Sequence, residues 1–385
     1  MLKALVLTLG ILFPETFFNT NFPDIQKLSF NTPQGLIYDI YTDRYSTKHS
    51  TIPCSATIYG RPSHKVVMLL HGLVKDGKND PRLVGLAKVF VRDGYSVFVP
   101  DIEGLKNSQL GPDEVNEVHK YLAEMNRIFK ESRIKGVMSF CYSNAPLIAA
   151  LSSDEKLHQD VIARAPMNIG ARGNLDPNVT ILPKLDFLIF WDGCYNLKEM
   201  FRYTLLGYYR TDGSGTTFIR EPDVELKQAI SNQKFFFTTS GTNNLQPTPC
   251  LLPAGTSLVG STKVGFNLSV QQFLSNQKPE LFDAYYNKLP KTITDCIEFI
   301  SPKNHFARGE QKFAEYPCKI FFIHTLDDPV IPYQETVQLY NSCSAKNKKL
   351  LLLSIYEHVE KKINLGNIME VLRDMKNLYS LVREL

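Results

Sequence analysis

Over residues 54 to about 165 of the 385-residue chain, short apolar runs alternate with stretches of helical periodicity. "SATIYG" and "KVVMLL" read as two strands parted by the turn signal "RPSH". "PRLVGLAKVFVRDG" sets apolar residues at helical spacing, with Gly94 as its stop, and "YSVFVPD" is a short apolar strand. "PDEVNEVHKYLAEMNRIFKES" predicts a longer amphipathic helix, opened by Pro112 and two acids where the helix dipole favours negative charge. "IKGVMSF" is again a strand. Strand, helix, strand, helix, strand in such short order predicts parallel βαβ units and an α/β fold.

The rhythm loosens between about 165 and 315, where aromatic helical pieces ("LKEMFRYTLLGYY") meet a stretch rich in Gly, Ser, Thr and Pro. It resumes with "CKIFFIHTLDDPVIP", the helix-like "YQETVQLYNSC", the strand "KKLLLLSIYEH" and a final amphipathic helix to Leu385. The chain thus divides into an N-terminal segment (1–50), a first part of the core (51–165), an insertion expected to form a lid (166–314) and a second part of the core (315–385). No internal repeat is visible.

Composition narrows the partners. A net charge of +4 without a Lys/Arg block gives no electrostatic reason to expect nucleic acid. The 7 cysteines are scattered and odd in number, with no C-x-x-C pair and no zinc spacing, so neither a disulfide framework nor a metal site is indicated. "MLKALVLTLGILF" has an early Lys and a short apolar run, like the first two parts of a secretory signal, but lacks an A-x-A cleavage site and is short for a membrane span. A signal or membrane anchor and a segment packed on the body both stand, so the compartment (cytoplasm, cell envelope or secreted) stays open.

Chemistry gathers at strand ends. "MLLHGLVKDGK" follows a strand with His71-Gly72-Leu73, where a glycine lets the next N–H turn into a site, as an oxyanion hole needs. "SFCYSNAP" sits where a strand becomes a helix and holds two candidate nucleophiles, Cys141 and Ser143. A nucleophile on such an elbow needs small residues two before and two after; Ser139 and Ser143 serve Cys141, while Cys141 and Ala145 serve Ser143. Pro146 favours Ser143, because a helix capped by Cys141 would carry the proline about five positions in. Downstream, "FFIHTLDDPVIP" ends a strand with Asp327 and Asp328, and "LLLLSIYEHVE" ends the next with His358. The order is nucleophile, acid, histidine.

With these flanking strings the chain resembles the α/β-hydrolase superfamily. "HGLVKDGKNDPRLVGLAKVFVRDGYSVFVPDIEGL" is similar to the oxyanion strand, first helix and "VPD-x-x-G" strand of bacterial esterase-like members. "HTLDDPVIPYQET" is similar to their "HG-x-x-D-P-V-V-P" acid turn and "EHV" to their histidine turn. Members usually read G-F-S-Y-G-G at the elbow, which sets "SFCYSN" with Cys141 on the nucleophile, as in the G-x-C-x-G box of dienelactone hydrolases. Here both box glycines are Ser, and Thr325 replaces the glycine after His324. The likeness covers roughly 54–165 and 315–365.

The resemblance implies a mostly parallel sheet with helices on both faces and an inserted lid. It also implies hydrolysis of a small-molecule carboxylic ester, lactone or thioester, lipid-like ones included, through a covalent acyl-enzyme. Cys141 would attack, His358 would move the proton, Asp328 (or Asp327) would hold His358, and the N–H groups of Leu73 and Tyr142 would form the oxyanion hole. No cofactor or metal is implied. An acyltransferase with the same residues and a non-catalytic binding member are the other readings. His71 and Asp101 read as structural turn residues, and His119 as a solvated residue. Tyr195, Phe201, Tyr203, Tyr208 and Tyr209 read either as core or as the lining of an acyl pocket.

Overall fold

The computed structural model describes residues 54–60, 63–107, 111–152, 184–206, 291–309, 311–315, 317–328, 330–354 and 368–385. Shorter described pieces fall at residues 8, 30–31, 37–38, 43–45, 208–210, 217–219, 282–283, 286–287, 356–357 and 360–361. Eight strands form the main sheet: β1 (Asp43–Tyr45), β2 (Cys54–Tyr59), β3 (Lys65–Leu70), β4 (Ser96–Asp101), β5 (Ile134–Phe140), β6 (Phe187–Trp191), β7 (Lys319–Thr325) and β8 (Lys348–Leu353). Their spatial order is β8-β7-β6-β5-β3-β4-β2-β1. The six strands from β8 to β4 run parallel; β2 is antiparallel to β4, and β1 to β2.

Every residue of β4 and of β6 is buried, as is all of β5 and β7 beyond the first residue. Strands covered on both faces favour apolar side chains on both, which is why they appear in the sequence as near-continuous apolar runs, with buried polar residues such as Ser139, His324 and Thr325 at their ends. Within β3, Val66, Met68 and Leu70 point into one core and Val67 and Leu69 into the other. The first core is closed by helices α2 (Pro112–Ile128), α3 (Asn144–Ser152), α5 (Lys291–Ile300), α6 (Pro302–Ala307) and α7 (Tyr333–Ser342). The second is closed by α1 (Pro81–Arg92) and α8 (Ile368–Val382).

Most boundaries follow the sequence pattern. Asp80 caps α1 by accepting the Arg82 N–H, and Gly94 ends the segment at φ +91°, a left-handed value that a side chain would strain. Three details differ from expectation. β8 stops at Leu353 rather than reaching the histidine, and Tyr356–Glu357 pairs instead with Glu360–Lys361. Helix α4 (Leu197–Leu206) ends before "GYY", whose Tyr208–Arg210 forms a small antiparallel pair with Thr217–Ile219. Strand β6 falls inside the 166–314 interval assigned to an insertion, so the sheet runs through part of that interval. The apolar "MLKALVLTLGILF" lies outside the described residues except for Thr8, and no helix among the described residues is long and apolar enough to cross a membrane.

Candidate active site

β3 lies between β4 on one side and β5 on the other, so the helical connections diverge there and leave a crevice at the carboxyl ends of the strands. Leu70 pairs with Ser139, Phe140 with Trp191, and Thr325 with Leu353. The segments His71–Leu73, Cys141–Ser143, Asp192–Gly193 and Leu326–Asp328 all leave the sheet along this edge.

Cys141 is the first residue after β5 and has φ +54°. Among the described residues only Cys141 and Asp192 (φ +49°) are non-glycine residues in the left-handed region, a conformation costing about 1–3 kcal/mol. Side chains within the elbow hold Cys141 there. The Asn144 amide donates to the Cys141 carbonyl (2.7 Å) and the Trp191 carbonyl (2.9 Å), and the Ser139 hydroxyl orients that amide by donating to Asn144 Oδ1 (2.7 Å). Three such bonds at about 0.5–1.5 kcal/mol each match the strain. The residues that replace the usual small box thus rebuild the elbow with hydrogen bonds.

The two candidate nucleophiles are not equivalent. Ser143 is fully buried; its Oγ accepts the Phe140 N–H (3.0 Å) and lies within donating distance of the Phe140 (2.8 Å) and Leu70 (3.1 Å) carbonyls. Its hydroxyl is occupied in tying the elbow to β3. Cys141 instead faces the β3 loop: a Cβ placed on Gly72 would lie 3.0 Å from the Cys141 Cβ and 3.6 Å from its Sγ. Only a residue without a side chain lets this backbone approach so closely. Pro146 is the third residue of α3, because a 3₁₀ turn over Cys141–Ser143 precedes the α-helix. The proline therefore sits in the first helical turn, where a missing N–H is tolerated, and no longer disfavours Cys141.

The β3 loop is held by His71. Its Nε2 accepts the Ile102 N–H (2.9 Å), so its proton is on Nδ1, which donates to the Gly72 carbonyl (2.8 Å). Burial pushes its pKa down and keeps it neutral. Asp101 accepts from the Lys78 N–H (3.2 Å) and Lys106 (3.0 Å). Both have the structural roles read from the sequence. His119 does not: burial lowers its pKa to about 4, so it is a neutral, half-buried side chain rather than a solvated one. Leu73 follows Gly72 with its side chain partly buried on the core, and the buried Tyr142 follows Cys141, its hydroxyl against Met200 of α4.

At the end of β7 the two acids separate. Asp327 is exposed, whereas Asp328 is buried, its Oδ1 accepting the N–H groups of Val330 (2.7 Å) and Ile331 (2.9 Å). Its Oδ2 lies 3.4 Å from Nε2 of buried His324. The candidate base His358 lies outside the described residues. Of the aromatic set, Phe201 and Tyr203 are buried and Tyr195 packs at the core margin; the side chains of Tyr208 and Tyr209 lie outside the described residues. Tyr203 of α4 donates to the Asp328 carbonyl (3.3 Å).

A strand order of this kind, with a left-handed elbow after the fifth strand and an acid after the seventh, decides the architecture. The chain has an α/β-hydrolase fold. No family model matches it, and no curated protein matches it by sequence. Among solved structures it is similar to an α/β hydrolase superfamily protein from Enterococcus faecalis (13% identity, 86% of this chain and 96% of that chain, TM-score 0.41). It is also similar to a Pyrococcus furiosus esterase (12% identity, 94% of this chain and 98% of that chain, TM-score 0.43). Against a Pyrococcus horikoshii acylaminoacyl peptidase the identity is 10% and the TM-score 0.46, with 89% of this chain covering 41% of that longer one.

In this α/β-hydrolase fold, Asn144, Asp192 and His324 build the strand-end edge without having been singled out in the sequence. Asp192 follows the apolar run "FLIFW" and precedes Gly193, a strand-then-turn signal that was lost in an irregular interval. Asn144 stands where the elbow usually carries a glycine, and only the folded elbow shows what its amide reaches.

Proposed function

We propose that the protein hydrolyses carboxylic esters, lactones or thioesters, with Cys141 as nucleophile, His358 as base and Asp328 as the acid that orients His358. The observation that carries this reading is the left-handed Cys141 at the elbow, in contact with the Gly72 backbone while the Ser143 hydroxyl is spent on the fold. The Cys141 sulfur, as thiolate, forms a bond to the acyl carbon, and the carbonyl π electrons move onto oxygen. That oxyanion faces the N–H groups of Leu73 and Tyr142. Collapse expels the alcohol or thiol, which takes its proton from His358, and leaves a thioester on Cys141. Water then gives a proton to His358 and attacks, releasing the acid and the thiolate. The second thiol of this edge, Cys194, is not a rival, since burial pushes its pKa well up.

Helix α4 supports a covered site. It leaves the same strand edge, meets Tyr142 through Met200 and meets the acid turn through Tyr203. A lid at this edge and lipid-like acyl substrates belong to the same proposal, with α4 as the described element that supports them.

The test is active-site labelling with iodoacetamide and a fluorophosphonate, mapped by mass spectrometry, alongside hydrolysis of short acyl esters and thioesters. The expected result is labelling at Cys141, activity lost in Cys141→Ala, and labelling retained in Ser143→Ala despite lower stability. Labelling that persists in Cys141→Ala and disappears in Ser143→Ala would overturn the assignment. Turnover only with an added amine or thiol acceptor would make the protein an acyltransferase, and neither labelling nor turnover would make it a binding protein.

A further inference from the structure

The turn after β7 contains a buried histidine that the reaction above does not use. His324 is fully buried, and both of its ring nitrogens face lone pairs. Nε2 lies 2.9 Å from the Ile331 carbonyl oxygen and 3.4 Å from Asp328 Oδ2. Nδ1 lies 2.6 Å from Thr336 Oγ1 and 3.8 Å from Asp192 Oδ1. The Thr336 hydroxyl has one proton and gives it to the Gly193 carbonyl (2.9 Å), which has none to offer in return. Toward Nδ1 the hydroxyl therefore presents a lone pair, and a carbonyl presents nothing else toward Nε2.

We propose that His324 is a permanently protonated imidazolium that bridges Asp192 and Asp328, and that it acts as a positioning residue holding the Asp328 carboxylate ionised and aimed at the site. The charges support each other. Asp328 accepts two backbone N–H groups and Asp192 accepts the Thr325 N–H (2.9 Å), arrangements that favour the ionised carboxylates. Burial alone would drive the His324 proton off; Asp192 and then Asp328 oppose it and leave the pKa raised. Two neighbouring carboxylates are turned elsewhere. Glu335 of α7 directs its carboxylate to the N–H groups of Tyr195 and Asn196, and Asp327 is exposed.

The ligand-type atoms of Asp192, His324 and Asp328 lie within 4.8 Å of one another, a spacing that would also admit a metal ion. A metal on either nitrogen would have to displace the Ile331 oxygen or the Thr336 hydroxyl, whereas a proton on each nitrogen satisfies both. Bridging also explains why two strand ends are tied at this point. Asp192 is held in a left-handed conformation, and its N–H donates to the Ile323 carbonyl (2.8 Å), so β6 and the acid turn of β7 share the cation.

The positioning role rests on Asp328 being the acid of the proposed reaction; the charge state does not. Long-range ¹H–¹⁵N correlation spectra of the full chain labelled in histidine, with His324 assigned through His324→Gln, read the charge state directly. Both nitrogens should carry protons from about pH 6 to about pH 8, where an ordinary histidine deprotonates. A neutral tautomer in that window, or movement of the His324 signals on adding stoichiometric Zn²⁺, would overturn the proposal. Asp192→Asn should bring the His324 titration down into the window, and an unmoved titration would count against the bridge. For positioning, His324→Gln should lower kcat on the order of 10²-fold with KM within about twofold, and move the acid limb of the rate profile to higher pH. Unchanged kcat would overturn that role. If wild type shows neither labelling nor turnover, the hydrolase reading falls and takes the positioning role with it, while the spectra still decide the imidazolium.

Discussion

Cys141 and Gly72 stand too close for a side chain between them, and each residue type there follows from what surrounds it. The thiol stands on a strained backbone because Asn144, Ser139 and Ser143 hold the elbow through their polar atoms. Gly72 has no side chain because one would meet Cys141 at 3.0 Å and the Phe140 carbonyl at 3.2 Å. Gly72→Ala should therefore displace the loop that carries the Leu73 N–H, lowering kcat/KM about 10²-fold in ester or thioester hydrolysis, with little change in the melting temperature. A kcat/KM within twofold of wild type would mean that this loop does not supply an oxyanion donor. Which of two neighbouring nucleophiles is used could not be decided from residue types, since both satisfied the small-neighbour rule. What the folded elbow adds is that the Ser143 hydroxyl is taken up by Leu70 and Phe140, which supports the proposal of Cys141 as nucleophile.

At the scale of elements, the position of α4 depends on a carboxylate from another helix. Glu335, fully buried in α7, accepts the N–H groups of Tyr195 and Asn196, both at 2.6 Å. These residues precede α4, and Asn196 in turn accepts the Lys198 N–H (3.2 Å) as its cap. A carboxylate at this end also suits the helix dipole. Glu335→Ala should reduce the unfolding free energy by about 2 kcal/mol in a urea titration, because two half-buried donors lose a buried carboxylate acceptor. Glu335→Gln, which keeps an oxygen, should lose less. Equal losses in the two variants would show that charge contributes nothing at this cap. The sequence marks α4 and α7 as separate amphipathic segments; their joining through Glu335 is a long-range contact that no local pattern encodes.

Across the whole molecule the first core encloses two carboxyl groups on α2. Glu114 and Glu117 are buried, and burial raises the Glu117 pKa to about 8. A carboxyl whose folded pKa lies above its unfolded value of 4.5 binds its proton more tightly when folded. Its contribution to stability is full below that unfolded value and is lost as pH rises through about 8. Wild type should therefore lose stability between roughly pH 5 and pH 8, and Glu117→Gln should flatten that slope and be the more stable protein at the upper end. Parallel slopes in denaturant titrations across this range would refute a buried, protonated Glu117.

Much of the architecture was settled by the chain itself. Largely apolar runs at 65–70, 96–101, 134–140 and 319–325 mark strands covered on both faces, and the intervening helical periodicity makes their connections parallel crossovers. The elbow, the acid turn and the β3 loop were legible for the same reason: they are local strings at the ends of such runs. What only the tertiary structure decided are the relations between strings. β6, a five-residue run inside an irregular interval, was recognisable as a sheet strand only from its pairing with β5 and β7. The Ser143 hydroxyl, the Asn144 clamp and the Asp192–His324–Asp328 bridge likewise join residues that the chain keeps apart. Side-chain pattern records whether a position is buried, because burial selects for hydrophobicity. It does not record which buried polar atoms meet, since that depends on where strands distant in sequence end beside one another.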